Sequence, residues 1–236
     1  MFSTGASGFD RALALLGNLM SRGKKKPLLR DLSREILAEG EFDNFLKEFI
    51  EGTDRSAALL GCALVDAALF RALATKMVFH NGEDDVERLF FNSDAPLSSL
   101  SSRTRVAVAL GIFMPEIGKV IDTVRHIRNA FAHSVKPIPF DHALVNAEIN
   151  KLPSVGDSPL GISRDKIVAS GLDTKSLSEQ RLKYANVTSV ITLALERYSA
   201  LSSGSQISVP FVSWEQILSW LEKSEQQHPP RLHSQD

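Results

Sequence analysis

The chain has 236 residues with nearly balanced charge, 27 Lys and Arg against 28 Asp and Glu, and 43% of its residues are hydrophobic. This composition is typical of a globular protein with a sizeable core, and the net charge of -1 argues against a globally basic nucleic-acid binder. A single cysteine excludes a disulfide framework and a cysteine-based zinc cluster, and it fits a reducing compartment.

We expect a cytoplasmic protein without a membrane span. Asp10 and Arg11 interrupt the first apolar stretch, and the lysines follow that stretch, which is the wrong order for a signal peptide. The most apolar run, 57–65, ends at Asp66 and is shorter than the ~20 apolar residues that a membrane helix needs.

The N-terminal segment, residues 1–40, is predicted to form short helices. Apolar side chains recur with helical spacing from Phe9 to Met20, and Pro27 stands where the first turn of a second helix accepts proline. A further amphipathic helix is predicted at 42–51.

The clearest element is a long helix at 55–79. Thr53 is suited to cap its first turn, and Asp54 places negative charge near the positive end of the helix dipole. Residues 57–65 are apolar on every side, which is typical of a helix buried at the centre of a bundle.

The remaining segments also indicate helices. Predicted after the central helix are a short helix at 84–91, a serine-rich loop at 96–102, helices at 103–113, 116–133 and 140–149, and two C-terminal helices opened by the capping boxes Ser176/Glu179 and Ser213/Gln216. The predicted fold class is therefore all-α, a helical bundle with a long buried central helix. Its divisions are N-terminal helices at 1–40, a core at 41–150, a loop at 151–175, C-terminal helices packing on the core at 176–224, and a tail at 225–236.

The helix at 116–133 carries the residues of most chemical interest. Its apolar stripe, which should face the core, consists of Ile117, Val120, Ile121, Val124, Ile127 and Phe131. Arg128 falls inside this stripe, where an arginine lowers stability unless it is paired or faces a cleft or a partner. Asn129 and His133 lie one turn apart on the polar face.

The segment from Arg128 through Asn129 to His133 resembles the signature of HEPN domains, a family of helical bundles. This resemblance implies a HEPN-like helix pair and a metal-independent ribonuclease site, with the signature helices of two subunits facing each other. Histidine can transfer protons at the ribose or the leaving oxygen, and arginine can stabilise charge on the phosphate.

The geometry of the helix complicates this interpretation, and the same residues also allow a structural one. Five helical steps separate Arg128 from His133 by about 140°, so a straight helix does not bring them together and a second subunit is needed to complete a site. The structural alternative is that Arg128 pairs with a buried acid and that His133 caps the end of its helix.

Asp66 interrupts the most apolar helix and is expected to be paired. The candidate partners are Arg103, Arg105 and Arg128, and a structural ion pair, above all Asp66 with Arg103, is the favoured interpretation. The alternative is that Asp66 orients the arginine of a site. No cofactor site or metal-ligand pattern is predicted anywhere in the chain.

A longer resemblance covers residues 54–133. The blocks that carry it are Asp54–Gly61, Leu64–Asp66, Leu89–Phe90, Pro96–Arg103, Ala109–Ile112 and Ile127–His133. In this order and approximate spacing they resemble the mannitol operon repressor (MltR-like) family. The resemblance implies an all-α regulator linked to repression that has no DNA-binding motif of its own.

The favoured function is therefore regulation, by repression, through protein-protein interaction. The alternative is a toxin-like, metal-independent endoribonuclease that uses Arg128, Asn129 and His133 across a homodimer. The expected partners are a second copy of the chain and a regulatory protein, with RNA as an alternative. Direct sequence-specific DNA binding is not expected, because no helix-turn-helix with an exposed basic recognition helix is evident.

Overall fold

The residues that the computed structural model describes are 42–155, 162–169, 171–175, 177–202 and 214–227. Across these ranges the regular secondary structure is helical and contains no β-strand. The helices are α1 (Phe42–Glu51), α2 (Asp54–Ala74), α3 (Glu83–Val86, continued by a π-helical turn at Glu87–Phe91), α4 (Leu100–Ala109), α5 (Pro115–His133), α6 (Ala143–Ile149), α7 (Arg164–Ala169), α8 (Glu179–Ser202) and α9 (Trp214–Gln227). The predicted all-α bundle is confirmed.

The central element of the bundle is α2, which packs against α1, α4, α5 and α8 and makes its most extensive contact with α8. Thr53 caps its first turn by accepting a hydrogen bond from the Ser56 amide, as the sequence predicts. The helix ends at Ala74, earlier than predicted, because the Thr75 hydroxyl donates to the Ala72 carbonyl and the chain enters a turn.

The contact between α2 and α8 is close because a glycine lies in it. A Cβ atom on Gly61 would lie only 2.7 Å from Cε1 of Tyr184, whose ring is fully buried. The Tyr184 hydroxyl donates to the Ala58 carbonyl at 2.9 Å, which satisfies its polar atom inside the core. The missing side chain therefore allows the two helices to approach each other.

A buried arginine of α8 fixes the start of α2. Arg181 is 2% exposed and donates to the carbonyls of Phe49 and Gly52 at 2.6 and 2.8 Å. It also pairs at 3.3 Å with Asp54, whose other carboxylate oxygen accepts from the Phe140 amide. This network connects α8, the junction of α1 and α2, and the segment that follows α5.

The helix predicted at 103–113 begins and ends earlier, as α4. Ser99, in the segment predicted as a serine-rich loop, caps the helix by accepting a hydrogen bond from the Ser102 amide at 3.1 Å. Gly111, with φ of +67°, then provides the left-handed turn that leads to α5.

The C-terminal divisions differ from prediction at two places. The segment 151–175, predicted as a loop, contains the short helix α7, which the Ser163 hydroxyl caps at the Lys166 amide and which buries Ile167. The last helix continues to Gln227, into the predicted tail. The predicted helices at 1–40, the capping residues Ser176 and Ser213, and the tail beyond 227 lie outside the described residues.

By length and composition alone, α2 could cross a membrane, although Asp66 led us to expect too short an apolar run. However, 56% of its most apolar window is buried inside the bundle. Its packing as the central helix accounts for this composition.

Candidate functional site

Helix α5 carries the three residues of the HEPN-like signature. Pro115 occupies its first turn, and the helix continues to His133, where the Ser134 amide donates to the Ala130 carbonyl. Nη2 of Arg55, on α2, donates to the Ser134 carbonyl at 2.6 Å. This bond holds the end of α5 beside the start of α2, so the two helices are antiparallel.

Arg128 is exposed and not paired with a buried acid, so the structural alternative for this arginine is not the one found. The reason is that α4 covers only the first half of α5, where a Cβ atom on Gly118 would lie 3.2 Å from Val108. The second half of α5 extends past α4, and the side of α5 that bears Arg128 is open there.

The signature residues do not converge within one chain. Nη1 of Arg128 donates to Oδ1 of Asn129 at 3.0 Å, so these two neighbours do interact. The imidazole of His133 is exposed and forms no hydrogen bond to any group in the described ranges. Because α5 stays helical to His133, Arg128 and His133 point about 140° apart.

Asp66 is paired with Arg103, and the expected alternative partners are not used. Nη1 of Arg103 donates to Oδ1 of Asp66 at 2.8 Å, whereas Arg105 and Arg128 are exposed. Arg103 also donates to the carbonyls of Leu97 and Phe90, at 2.8 and 3.2 Å. Four helical and loop segments therefore meet at one guanidinium group.

Three aromatic rings enclose this guanidinium group. Its central carbon lies 5.6 to 6.0 Å from the ring centroids of Phe70, Phe90 and Phe91. These distances allow cation–π attraction, and the rings exclude water from an arginine that is only 5% exposed. The π-helical turn at Glu87–Phe91 places two of the three rings.

The carboxyl of Asp66 lies between this enclosed arginine and solvent, with 35% of its side chain exposed. Removal from water raises the pKa of Asp66, while the charge and hydrogen bond of Arg103 act in the opposite direction, and the charge of Arg128 adds a smaller lowering effect. Arg128 therefore lies within electrostatic reach of Asp66 without forming an ion pair with it.

Cys62, one turn before Asp66, is buried and free. Burial raises the pKa of its thiol to about 11, and the charges of Arg128 and Arg125 only partly oppose this effect. The thiol is thus protonated at neutral pH, as expected for an inert core residue. The described residues contain no group of three His, Cys, Asp or Glu side chains able to hold a metal ion.

Sequence reasoning missed the role of Arg125. It pairs with Asp122 at 3.2 Å, its Nη2 lies 2.9 Å from Nε2 of His126, and its charge also reaches Cys62. Arg125 lies seven residues after Gly118, on the side of α5 that faces α4, and three residues before Arg128, so it flanks the same open side.

Neither family models nor curated proteins match the sequence of this chain. Among solved structures, the MtlR–HPr complex from Escherichia coli is similar, with a TM-score of 0.42 and 17% sequence identity. The similarity covers 70% of this chain and 99% of that one. A likeness at this level assigns neither a site nor an activity to the chain.

Proposed function

We propose that this chain is a cytoplasmic regulatory protein that acts in repression by binding another protein. The resemblance of residues 54–133 to MltR-like regulators motivates this proposal. It requires neither a cofactor nor a DNA-binding motif of its own.

The observation that carries the proposal is the state of Arg128. A structural arginine in that position would be paired with an acid, but the nearby carboxyl of Asp66 is already bonded to Arg103. Arg128 is bonded to a neutral amide and exposed to solvent. A charged side chain that the fold orients but does not neutralise remains available to a partner.

Affinity purification tests this proposal. The tagged full-length chain is isolated from its own host after mild cross-linking, the co-purifying protein is identified, and the complex is rebuilt from purified components. We expect a complex of fixed stoichiometry whose formation survives nuclease treatment. Purification of the chain without any stoichiometric protein would contradict the proposal.

The second candidate function is a metal-independent endoribonuclease formed across a homodimer. It is favoured by the pairing of Arg128 with Asn129 on a helix that also exposes His133. Since one chain does not converge these groups, a second copy has to supply one of them.

RNA cleavage in excess EDTA distinguishes the two functions. The nuclease predicts cleavage that is lost in both His133→Ala and Arg128→Ala and kept in the control His126→Ala, with all three variants folded. The regulator predicts no cleavage by the wild-type chain across varied RNA substrates. Cleavage lost in both signature variants would replace the regulatory proposal.

A further inference from the structure

An open surface lies where α2 and α5 pass each other beyond the first turn of α4. On α2, Leu59, Cys62, Ala63 and Asp66 follow helical spacing along one side, with Leu59 and Ala63 exposed above the buried Cys62. On α5, Arg125 lies seven residues after Gly118, on the side of the helix that faces α4, and Arg128 follows it by three residues. We refer to Leu59, Ala63, Arg125 and Arg128 together as the α2–α5 groove.

The surface around this groove has an excess of positive charge. Arg128 is exposed at its edge, is bonded to the neutral amide of Asn129 and forms no ion pair with any acid in the described ranges. Both nearby acids are already engaged, Asp66 by Arg103 and Asp122 by Arg125. The chain as a whole has a net charge of -1, so this local excess is not a consequence of overall composition.

The groove also offers apolar contact at its centre. Leu59 is 36% exposed on the most apolar helix of the protein, and Ala63 follows it by one turn. An apolar centre flanked by charges is the usual anatomy of a protein-protein interface. Arginines at its edge favour partners that present carboxylates, because guanidinium groups bind them with two parallel hydrogen bonds.

We propose that the α2–α5 groove docks a protein partner whose surface presents an apolar side chain flanked by Asp or Glu residues. This inference rests on the proposed regulatory function and adds the place and the charge of the interaction. Asn129 takes part by holding the guanidinium group of Arg128 in its exposed position.

Two other occupants fit the groove less well. A second copy would bring its own cationic surface against this one, and like charges across an isologous contact are unfavourable. RNA recognition commonly uses exposed aromatic rings for stacking, and the large hydrophobic side chains exposed in the described ranges include none that is aromatic.

Site-specific photo-cross-linking in the host tests the proposal. A benzophenone amino acid replaces Ala63 in the groove, and in a parallel chain it replaces Ala147, which is exposed on α6. Both chains are expressed at full length, irradiated and purified, and each product is treated with protease or nuclease. We expect a protease-sensitive adduct from position 63 and none from position 147.

Charge reversal then tests the chemistry with the identified partner. We expect Arg128→Glu to weaken binding of the purified partner at least about tenfold, equivalent to the loss of roughly 1.4 kcal/mol. Lys119→Glu changes the net charge equally on the opposite side of α5 and should leave affinity within about twofold. Reversal of the facing partner carboxylate to lysine should restore binding to Arg128→Glu.

The remaining outcomes overturn the proposal in distinguishable ways. A protein adduct from position 147 alone moves the interface elsewhere and leaves the regulatory function standing. An adduct to a second copy or to RNA at position 63 replaces the proposed occupant. Absence of any adduct at position 63, while a partner still co-purifies, rejects the groove but not the function, whereas absence of a partner in both experiments rejects both.

Discussion

Two arginines lie near the same carboxyl group, and the fold treats them in opposite ways. Arg103 approaches Asp66 from α4, is 5% exposed, and is enclosed by three phenylalanine rings. Arg128 approaches from α5, is exposed, and is bonded only to the amide of its neighbour Asn129. The difference arises because α2 and the π-helical turn place three rings around Arg103, whereas α4 is too short to cover Arg128.

This contrast distinguishes an arginine with a structural role from one that is available to bind a partner. Each nitrogen of the Arg103 guanidinium group donates one hydrogen bond, to Asp66 or to a backbone carbonyl, and burial closes the group to a ligand. Arg128 has most of its five donors free to meet solvent or a partner. The role of each arginine is therefore decided by whether neighbouring segments cover its side chain.

Loss of Arg103 should be the most damaging change. Arg103→Ala leaves Asp66 and the carbonyls of Phe90 and Leu97 without their donor in a poorly hydrated site. We expect the free energy of unfolding to fall by about 3 kcal/mol, measured by urea denaturation. The neighbouring exposed Arg105→Ala should change it by less than about 0.5 kcal/mol. Equal effects of the two changes would show that the enclosure of Arg103 is not what matters.

The side of α2 that packs against α8 provides a second test, at Gly61. Gly61→Ala places a methyl group 2.7 Å from the edge of the buried Tyr184 ring, which has no room to move. We expect a loss of about 2 kcal/mol in urea denaturation. Gly118→Ala is the matched control, because its nearest neighbour, at 3.2 Å, is a methyl of the partly exposed Val108 side chain. A neutral Gly61→Ala would mean that α2 and α8 pack less tightly than this 2.7 Å distance implies.

The sequence was sufficient to predict the all-α fold and the start of α2, because capping and apolar periodicity are local signals. It also indicated the helical course of α5. It was not sufficient to predict that Arg128 is exposed, since this depends on where α4 begins and how it packs against α5. For α7, the Pro- and Gly-rich composition predicted a loop, whereas burial of Ile167 against the rest of the bundle favours a short helix.

The pH dependence of stability should report the position of Asp66 between its two arginines. Burial raises the pKa of this carboxyl in the folded state above 3.8, so the folded chain binds its proton more tightly than the unfolded chain does. The resulting stabilisation is present below the unfolded pKa and is lost as pH rises through the folded pKa. Relative to Asp66→Asn, the wild-type chain should therefore lose stability as pH rises from the unfolded pKa through the raised folded pKa, by an amount reduced by partial exposure.

Asp85 provides a control in which the expected dependence of stability on pH has the opposite sign. Its exposed carboxylate accepts hydrogen bonds from the backbone and side-chain amides of Asn81, which lower its pKa. Relative to Asp85→Asn, the wild-type chain should lose stability as pH falls through that lowered pKa. The two comparisons are made by urea denaturation at each pH, and parallel trends would contradict the difference in environment.

Removal of Arg128 should have the smallest effect on the fold. Arg128→Ala deletes an exposed side chain whose bond is to an adjacent residue, so the free energy of unfolding should change by less than about 0.5 kcal/mol. Binding of the partner identified by cross-linking should nevertheless weaken, because the charge that faces it is gone. A loss of more than about 1 kcal/mol in urea denaturation would instead make Arg128 a structural residue like Arg103 and remove the physical basis for docking at the groove.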